Sequence, residues 1–147
     1  MLFKNILVPI DFSETSLQAL RMAVRLARAG QSRITLLHVG VTPVPIVGDI
    51  WLPSSAEIYT TWQTQLVDEQ AAALRRVARE EIPEDVPHTT TVRDGFPPEE
   101  ILEEVRTGNH DLVVMATHGR TGLERVVMGS VAERVIRQSP VPVLSLR

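Results

Sequence analysis

Cysteine is absent from the 147 residues, which excludes disulfides, thiolate-ligated zinc and thiol nucleophiles together. No run of about 18 uninterrupted apolar residues occurs, so no membrane-spanning helix is expected. The first residues also lack the basic segment and apolar stretch of a signal peptide. We therefore expect a cytoplasmic protein with no membrane partner.

Positive charge is in slight deficit, with 15 Lys and Arg against 18 Asp and Glu, a formal net charge of −3. A protein that binds nucleic acid through phosphate contacts needs a basic surface, so no nucleic-acid partner is expected. The hydrophobic fraction of 44% and the charged fraction of 22% are typical of a globular chain. The length suits a single domain, 1–147, with a real core.

Strand and helix patterns alternate along the chain. Strands are predicted at 3–10, 33–39, 86–92, 112–115 and 141–146, and helices at 13–30, 59–81, 97–108 and 130–137. We expect Ser13 to cap the first helix, Gly30 to stop it, and Pro97-Pro98 to open the third. The inner face of the second helix is predicted at Leu66, Ala73, Leu74 and Val77. This alternation predicts an α/β fold, a single-domain doubly wound five-stranded parallel sheet with helices on both faces. The strand order we expect is 3-2-1-4-5.

An irregular loop of about 40–58 follows the second strand and is long for its position. Both tryptophans and the only tyrosine lie in or just after it, at Trp51, Tyr59 and Trp62. Long loops of this kind act as lids or partner surfaces. The sequence leaves open whether these rings cover a pocket or pack in an interface.

The stretch Ala116-Thr117-His118-Gly119 is followed, nine residues later, by Gly129-Ser130. It predicts a strand end, a glycine loop and the start of the last helix. Backbone N–H groups at a helix N-terminus beside glycine form an anion pocket, which suggests a phosphate-bearing ligand. No Lys follows the second glycine as in a Walker A loop, and a purely structural turn and N-cap is the alternative.

Two strand ends meet if the strand order is as predicted. Asp11 follows the first strand and Gly119 the fourth, so both lie at the switch point where α/β sheets bind ligands. Asp11 is suited to accept a hydrogen bond from a ribose hydroxyl or an adenine amino group, and Val39 to form an apolar wall for the base. Asp11 is also a favoured residue for capping the first helix, and the two roles can coexist.

The histidines indicate neither catalysis nor a protein-ligated metal. His118 has no Ser or Cys nucleophile at a recognisable spacing, so a role beside a phosphate or the backbone is favoured. His38 falls inside a buried-strand pattern and is interpreted as a hydrogen-bonded core residue. Neither has a partner at metal-ligand spacing. Any Mg²⁺ would arrive with a nucleotide and be held by its phosphates and by water.

The chain resembles the universal stress protein family along essentially its whole length. The resemblance is carried by Asn5-Ile-Leu-Val-Pro-Ile-Asp11-Phe-Ser, by Leu36-Leu-His-Val39 and by the blocks 111–122, 129–135 and 139–144. The nucleotide-binding branch of that family has the pattern G-x-x-G, nine residues, G-[S/T]. The resemblance implies a flavodoxin-like, Rossmann-like fold, an ATP-binding pocket and a homodimer.

The resemblance also implies a set of site residues. Pro9, Ile10, Asp11 and Val39 would surround the adenosine, Met115, Ala116, His118, Gly119 and Arg120 would line the loop side, and Gly129, Ser130 and Val131 would bind phosphates through backbone N–H groups and the Ser130 hydroxyl. Ala116 departs from the family pattern, which has glycine there. We expect its methyl group to be harmless if φ is negative at this position.

Pro140 and Pro142 bracket the last strand, and proline in a strand indicates a sheet edge. An exposed apolar edge, Val141 to Leu146, is a liability unless another chain covers it. Dimers of the family pair through this strand.

The leading hypothesis is a stress-response regulatory protein that binds an adenine nucleotide, ATP foremost or else ADP or AMP, as a homodimer acting on an unidentified regulatory protein. One alternative is an interaction module of the same family that binds no nucleotide. Another is a slow ATPase or nucleotidyl transferase. No catalytic residue is predicted, because the segments around the phosphate loop supply backbone donors and little acid–base machinery.

Overall fold

A computed structural model describes residues 3–41, 53–118 and 128–147, with the side chains of 53–56 excepted. The strands of this part of the chain are β1 Asn5–Pro9, β2 Arg33–Gly40, β3 His88–Asp94, β4 Leu112–Ala116 and β5 Val143–Leu146. Its helices are α1 Glu14–Gly30, α2 Pro53–Glu81, α3 Pro97–Thr107 and α4 Ser130–Gln138. None of these helices is long and apolar enough to cross a membrane.

The strands form one parallel sheet in the order β3-β2-β1-β4-β5, which confirms the predicted fold class and strand order. β1 pairs with β2 on one side and β4 on the other, so the chain winds outwards from β1 in one direction and then crosses over to continue in the other. The carboxyl ends of β1, β2 and β4 consequently meet at one edge of the sheet.

Helices cover both faces of the sheet, as predicted. Side chains alternate between faces along a strand, and β1 directs Ile6 and Val8 into a core shared with α1 and α2. Leu7, between them, belongs to the second core, which is shared with α3 and α4. β1 is therefore buried from both sides, which explains why its sequence is a continuous apolar run.

Helix α1 begins after its predicted cap and ends at Gly30, the residue predicted to stop it. The N-cap is Ser13, whose hydroxyl accepts a hydrogen bond from the Ser16 N–H at 3.2 Å. Gln31, rather than Gly30, takes the left-handed conformation that ends the helix, with φ 52°, and Gly30 is the last helical residue. Gly30 instead avoids a close contact, since a Cβ there would lie 2.9 Å from the Ser32 Oγ.

Helix α2 begins at Pro53 rather than at Tyr59, so the predicted loop of about 40–58 is wrong at its carboxyl end. Proline fits the first turn of a helix, where its missing N–H has no partner to lose. Leu74 and Val77 are buried against the sheet as predicted. Trp51, in the remainder of the predicted loop, lies outside the described residues.

The outer strands begin two residues later than predicted. The Val86 N–H donates to the Pro83 carbonyl in a turn, so β3 pairs with β2 only from His88. Pro142 has no N–H to contribute to a ladder, and β5 begins at the next residue, Val143.

A half-buried cluster of charged side chains ties β3 to α3. The Arg93 Nη2 donates to the Glu104 Oε2 at 2.7 Å, and the His110 Nε2 lies 3.2 Å from the Glu104 Oε1. Burial raises the pKa of Glu104, but hydrogen bonds from Arg93 and then from His110 outweigh it and hold the pKa below its ordinary value of 4.5. The charged form of Glu104 is therefore favoured by folding.

This depressed pKa predicts acid sensitivity. The stabilisation is complete above pH 4.5 and is lost as the pH falls through the lower folded-state value. We expect Glu104→Gln to lower the free energy of unfolding at pH 7 by about 1–3 kcal/mol and to flatten its decline between about pH 5 and 3. Urea unfolding at a series of pH values measures both effects.

Glu103→Gln is the matched control, because this neighbour on α3 is half exposed and pairs with Arg106 at the surface. We expect it to change stability by less than about 0.5 kcal/mol. A Glu104→Gln protein with the pH profile of the wild type would contradict the role assigned to the cluster.

Candidate functional site

A cavity of about 390 Å³ opens where the carboxyl ends of β1, β2 and β4 meet the first turns of α3 and α4. This size lies within the usual range for small-molecule sites. All the predicted site residues within the described ranges line it: Pro9, Ile10, Asp11, Val39, Met115, Ala116, His118, Gly129, Ser130 and Val131. Gly119 and Arg120 lie outside the described residues.

Six further residues of the lining were not predicted: Ser16, Leu37, Pro97, Ile101, Thr117 and Ala132. Pro97 and Ile101 form one wall because α3 packs across β2. Their spacing of four puts them on one face of the helix, but only the packing of that helix places the face at the cavity. Asp11 is the single carboxylate among the described residues that line the cavity.

The Asp11 carboxylate is oriented by the residue that caps α1. The Asp11 Oδ1 accepts hydrogen bonds from the Ser13 N–H, at 2.9 Å, and from the Ser13 hydroxyl. The cap itself is Ser13, so Asp11 supports the cap instead of forming it. A carboxylate offers about four acceptor positions, so these bonds are compatible with a further one to a ligand.

The first turn of α4 presents backbone donors to the cavity. The first helical bond runs from the Glu133 N–H to the Gly129 carbonyl at 2.9 Å, so the N–H groups of Ser130, Val131 and Ala132 have no acceptor within the helix. The N-cap is Gly129, which has no side chain with which to cap them. With the helix dipole, these three groups favour an anion.

Gly129 is bonded within the protein through its N–H. This N–H donates to the Thr117 carbonyl at 2.7 Å, so it already has an acceptor within the protein. With φ −59° the residue needs no left-handed conformation. Glycine is favoured because any other residue would place a Cβ only 3.1 Å from the Thr117 carbonyl oxygen, which is a tight contact.

Ala116 is the last residue of β4, and its backbone is unstrained. Phe12, Gln31 and Asn109 are the only non-glycine residues with positive φ in the described part of the chain. The condition set for a harmless methyl group, a negative φ, is therefore confirmed at Ala116.

Two threonines hold the residues that follow β4. The Thr15 hydroxyl donates to the His118 carbonyl at 2.8 Å. The Thr117 hydroxyl donates its one hydrogen to the Leu146 carbonyl at 3.1 Å, so it accepts from the His118 Nδ1 at 2.8 Å. The His118 ring is thus fixed by a hydrogen bond to its own neighbour, which suits a structural role at the cavity.

His38 lies in the core, as predicted. Only 9% of the residue is exposed, and its Nδ1 lies 2.7 Å from the Ile10 carbonyl oxygen. Across the described ranges, no cluster of three or more His, Asp or Glu side chains is placed to hold a metal ion.

Comparison with known proteins gives a consistent result. The model of the universal stress protein family matches residues 2–147. Universal stress protein MJ0531 of Methanocaldococcus jannaschii is 36% identical over 149 residues, which span 99% of this chain and 83% of that protein. The solved structure of MJ0577, from the same organism, is 29% identical with a TM-score of 0.82, and the match covers 99% of this chain and 96% of that one.

Two more distant solved structures are complexes with a nucleotide. A universal stress protein in complex with cAMP is 21% identical, with a TM-score of 0.62 and coverage of 100% of this chain and 98% of the other. The universal stress protein from Archaeoglobus fulgidus in complex with dAMP is 19% identical, with a TM-score of 0.59 and full coverage of both chains. At these identities they bear on the fold of this chain alone.

The Thr15 hydroxyl provides a test of how α1 holds the end of β4. Thr15→Val keeps the shape of the side chain and removes the bond to the His118 carbonyl, so we expect a loss of about 0.5–1.5 kcal/mol in the free energy of unfolding. Thr107→Val is the control, because that exposed hydroxyl donates to a carbonyl in the preceding turn of its own helix. Urea unfolding compares the two, and equal losses would contradict the tether.

Proposed function

This chain belongs to the universal stress protein family, and we propose that it binds an adenine nucleotide, ATP foremost, in the cavity at the carboxyl ends of the strands. One observation carries the proposal: Asp11 and the first-turn residues of α4, whose N–H groups have no acceptor within the helix, line the same cavity. Two distant relatives were solved in complex with cAMP and with dAMP, and each of these ligands contains an adenine nucleoside. This supports an adenine nucleoside as part of the ligand of this chain.

The nucleoside fits the apolar part of the cavity. Val39, Ile10 and Met115 come from three neighbouring strands and offer aliphatic surface to a flat base. Asp11 would accept a hydrogen bond from a ribose hydroxyl or from the adenine amino group. A polar group placed in an otherwise apolar site fixes the orientation of a ligand.

The phosphates fit the first turn of α4. The N–H groups of Ser130, Val131 and Ala132 and the Ser130 hydroxyl would donate to phosphate oxygens. Any Mg²⁺ would be held by the phosphates and water, because Asp11 is the one carboxylate in the described lining.

Binding without rapid catalysis suits these residues. The two titratable side chains of the described lining, Asp11 and His118, both take part in hydrogen bonds within the protein. No third titratable side chain is present in that described lining, which therefore offers little acid–base machinery. We therefore propose a regulatory role, as a cytoplasmic stress-response protein whose nucleotide state is sensed by a partner.

Two substitutions at Ser130 separate its hydroxyl from its N–H. Ser130→Ala removes the hydroxyl alone. Ser130→Pro also removes the N–H. The helix tolerates proline here because Ser130 is its first residue. The preceding residue, Gly129, has a ψ of 147°, which is the backbone conformation required before proline. We expect ATP affinity to fall by about threefold for alanine and by more than tenfold for proline.

Isothermal titration with ATP, ADP, AMP and adenosine measures these effects. Adenosine has no phosphate, so its affinity is expected to be unchanged in both variants, which is the internal control. Absence of saturable heat for every ligand, with folded wild-type protein at millimolar concentration, would overturn the proposal and favour the interaction module that binds no nucleotide.

We also propose a homodimer formed through β5. This strand is an edge of the sheet among the described residues, and Leu144 on it is 38% exposed. A second copy that paired with this edge would cover its apolar side chains and its open backbone groups.

Leu144→Lys tests the dimer. A charge at this edge would have to be buried on association, so we expect the dissociation constant to rise by more than about tenfold. Ile58→Lys is the control, because this residue is 71% exposed on α2, which packs against the opposite end of the sheet. Analytical ultracentrifugation measures both, and a monomeric wild-type protein would contradict the proposal.

A further inference from the structure

Phe12 has a backbone conformation that is rare for its residue type. Its φ of 65° lies in the left-handed region, which a bulky side chain disfavours. The residue stands between Asp11, which lines the cavity, and Ser13, which caps α1. Such strain persists only where the surroundings enforce it, and it is concentrated at functional sites.

His38 provides this enforcement from the neighbouring strand. The Ile10 carbonyl oxygen can only accept, so the His38 Nδ1 carries a hydrogen and donates it over 2.7 Å. The His38 ring also packs against the Phe12 ring, with centroids 4.6 Å apart and planes tilted by 46°. One buried side chain therefore holds the residue before Asp11 and the residue after it.

Two more hydrogen bonds complete the constraint. The Ile10 N–H donates to the Leu37 carbonyl at 2.8 Å, which extends the pairing of β1 and β2 past the end of the strand. The Ser13 N–H donates to the Asp11 Oδ1 at 2.9 Å. The backbone of Asp11 is thus held on both sides, and its carboxylate on one oxygen.

We infer that His38 and Phe12 are positioning residues for the Asp11 carboxylate. Neither lines the cavity among the described residues. They act through the backbone on each side of Asp11 and set the affinity for the nucleoside part of the ligand. This inference rests on the proposed nucleotide binding and adds to it the residues that control one end of the site.

A double-mutant cycle with adenosine as the probe tests the inference. We expect Asp11→Asn to weaken adenosine binding about tenfold in the wild type, because it replaces a charged acceptor by a neutral one. In a His38→Leu background the carboxylate is no longer held in place, so the same change is expected to cost less than about threefold. A purely structural role for His38 would leave the cost of Asp11→Asn unchanged.

His38→Asn is the rescue variant, because its side-chain amide restores an N–H donor near the Ile10 carbonyl. In the His38→Asn background we expect Asp11→Asn to weaken adenosine binding nearly as much as it does in the wild type. His88→Leu is the matched control: the Nδ1 of His88 also lies within hydrogen-bond distance, 3.0 Å, of a backbone carbonyl, that of Val86, but at the other end of the strands. In that background we expect Asp11→Asn to weaken adenosine binding as much as it does in the wild type.

A second pair of variants tests the same inference at Phe12, should His38→Leu not fold. Asparagine tolerates the left-handed conformation and a β-branched valine does not. We expect the effect of Asp11→Asn to be reduced in Phe12→Asn, which keeps the backbone conformation but loses the ring contact with His38, and to be lost in Phe12→Val, which disfavours both.

The outcomes separate the proposal of nucleotide binding from the inference that His38 and Phe12 position Asp11. If the wild type binds adenosine and Asp11→Asn costs the same in every background, the positioning role is wrong while nucleotide binding stands. If the folded wild type binds neither adenosine nor ATP, both are overturned.

Discussion

Parallel pairing of β1 with both β2 and β4 is the constraint on which the remaining structure depends. Parallel neighbours cannot be joined by a tight turn, so each connection crosses over through a helix that packs on one face of the sheet. Because the chain leaves β1 in one direction and returns to continue in the other, the helices on the two faces diverge above the ends of β1 and β4. The cavity forms in that divergence, with its residues contributed by distant parts of the chain.

The cavity combines an apolar part with two kinds of polar group. The buried strands end at the cavity, so aliphatic side chains near their carboxyl ends form part of its walls. The first turn of α4 adds donors that no part of the helix can satisfy. Asp11 adds an acceptor whose direction depends on its neighbours. The proposed complementarity to a nucleotide thus arises from the ordinary ends of strands and helices.

Much of the fold and of the cavity lining could be predicted from local signals. Alternating strand and helix patterns indicated the parallel sheet, Ser13 the start of α1, and the proline pair at Pro97 the start of α3. The site residues followed from the resemblance and from the rule that ligands bind at a switch point. The close contact of Gly129 with the Thr117 carbonyl could not be predicted, because it joins segments that are not adjacent in the chain.

The sequence by itself determined the class of fold and the segments that end at the cavity. These depend on hydrophobic periodicity, caps and glycine or proline positions, all of which act over a few residues. Only the tertiary structure decided that Gln31 and not Gly30 turns left-handed, that the Gly129 N–H is occupied, and that His38 holds the residues on both sides of Asp11. Each of these depends on a hydrogen bond or close contact that forms only once the chain has folded, and no local pattern encodes such a contact.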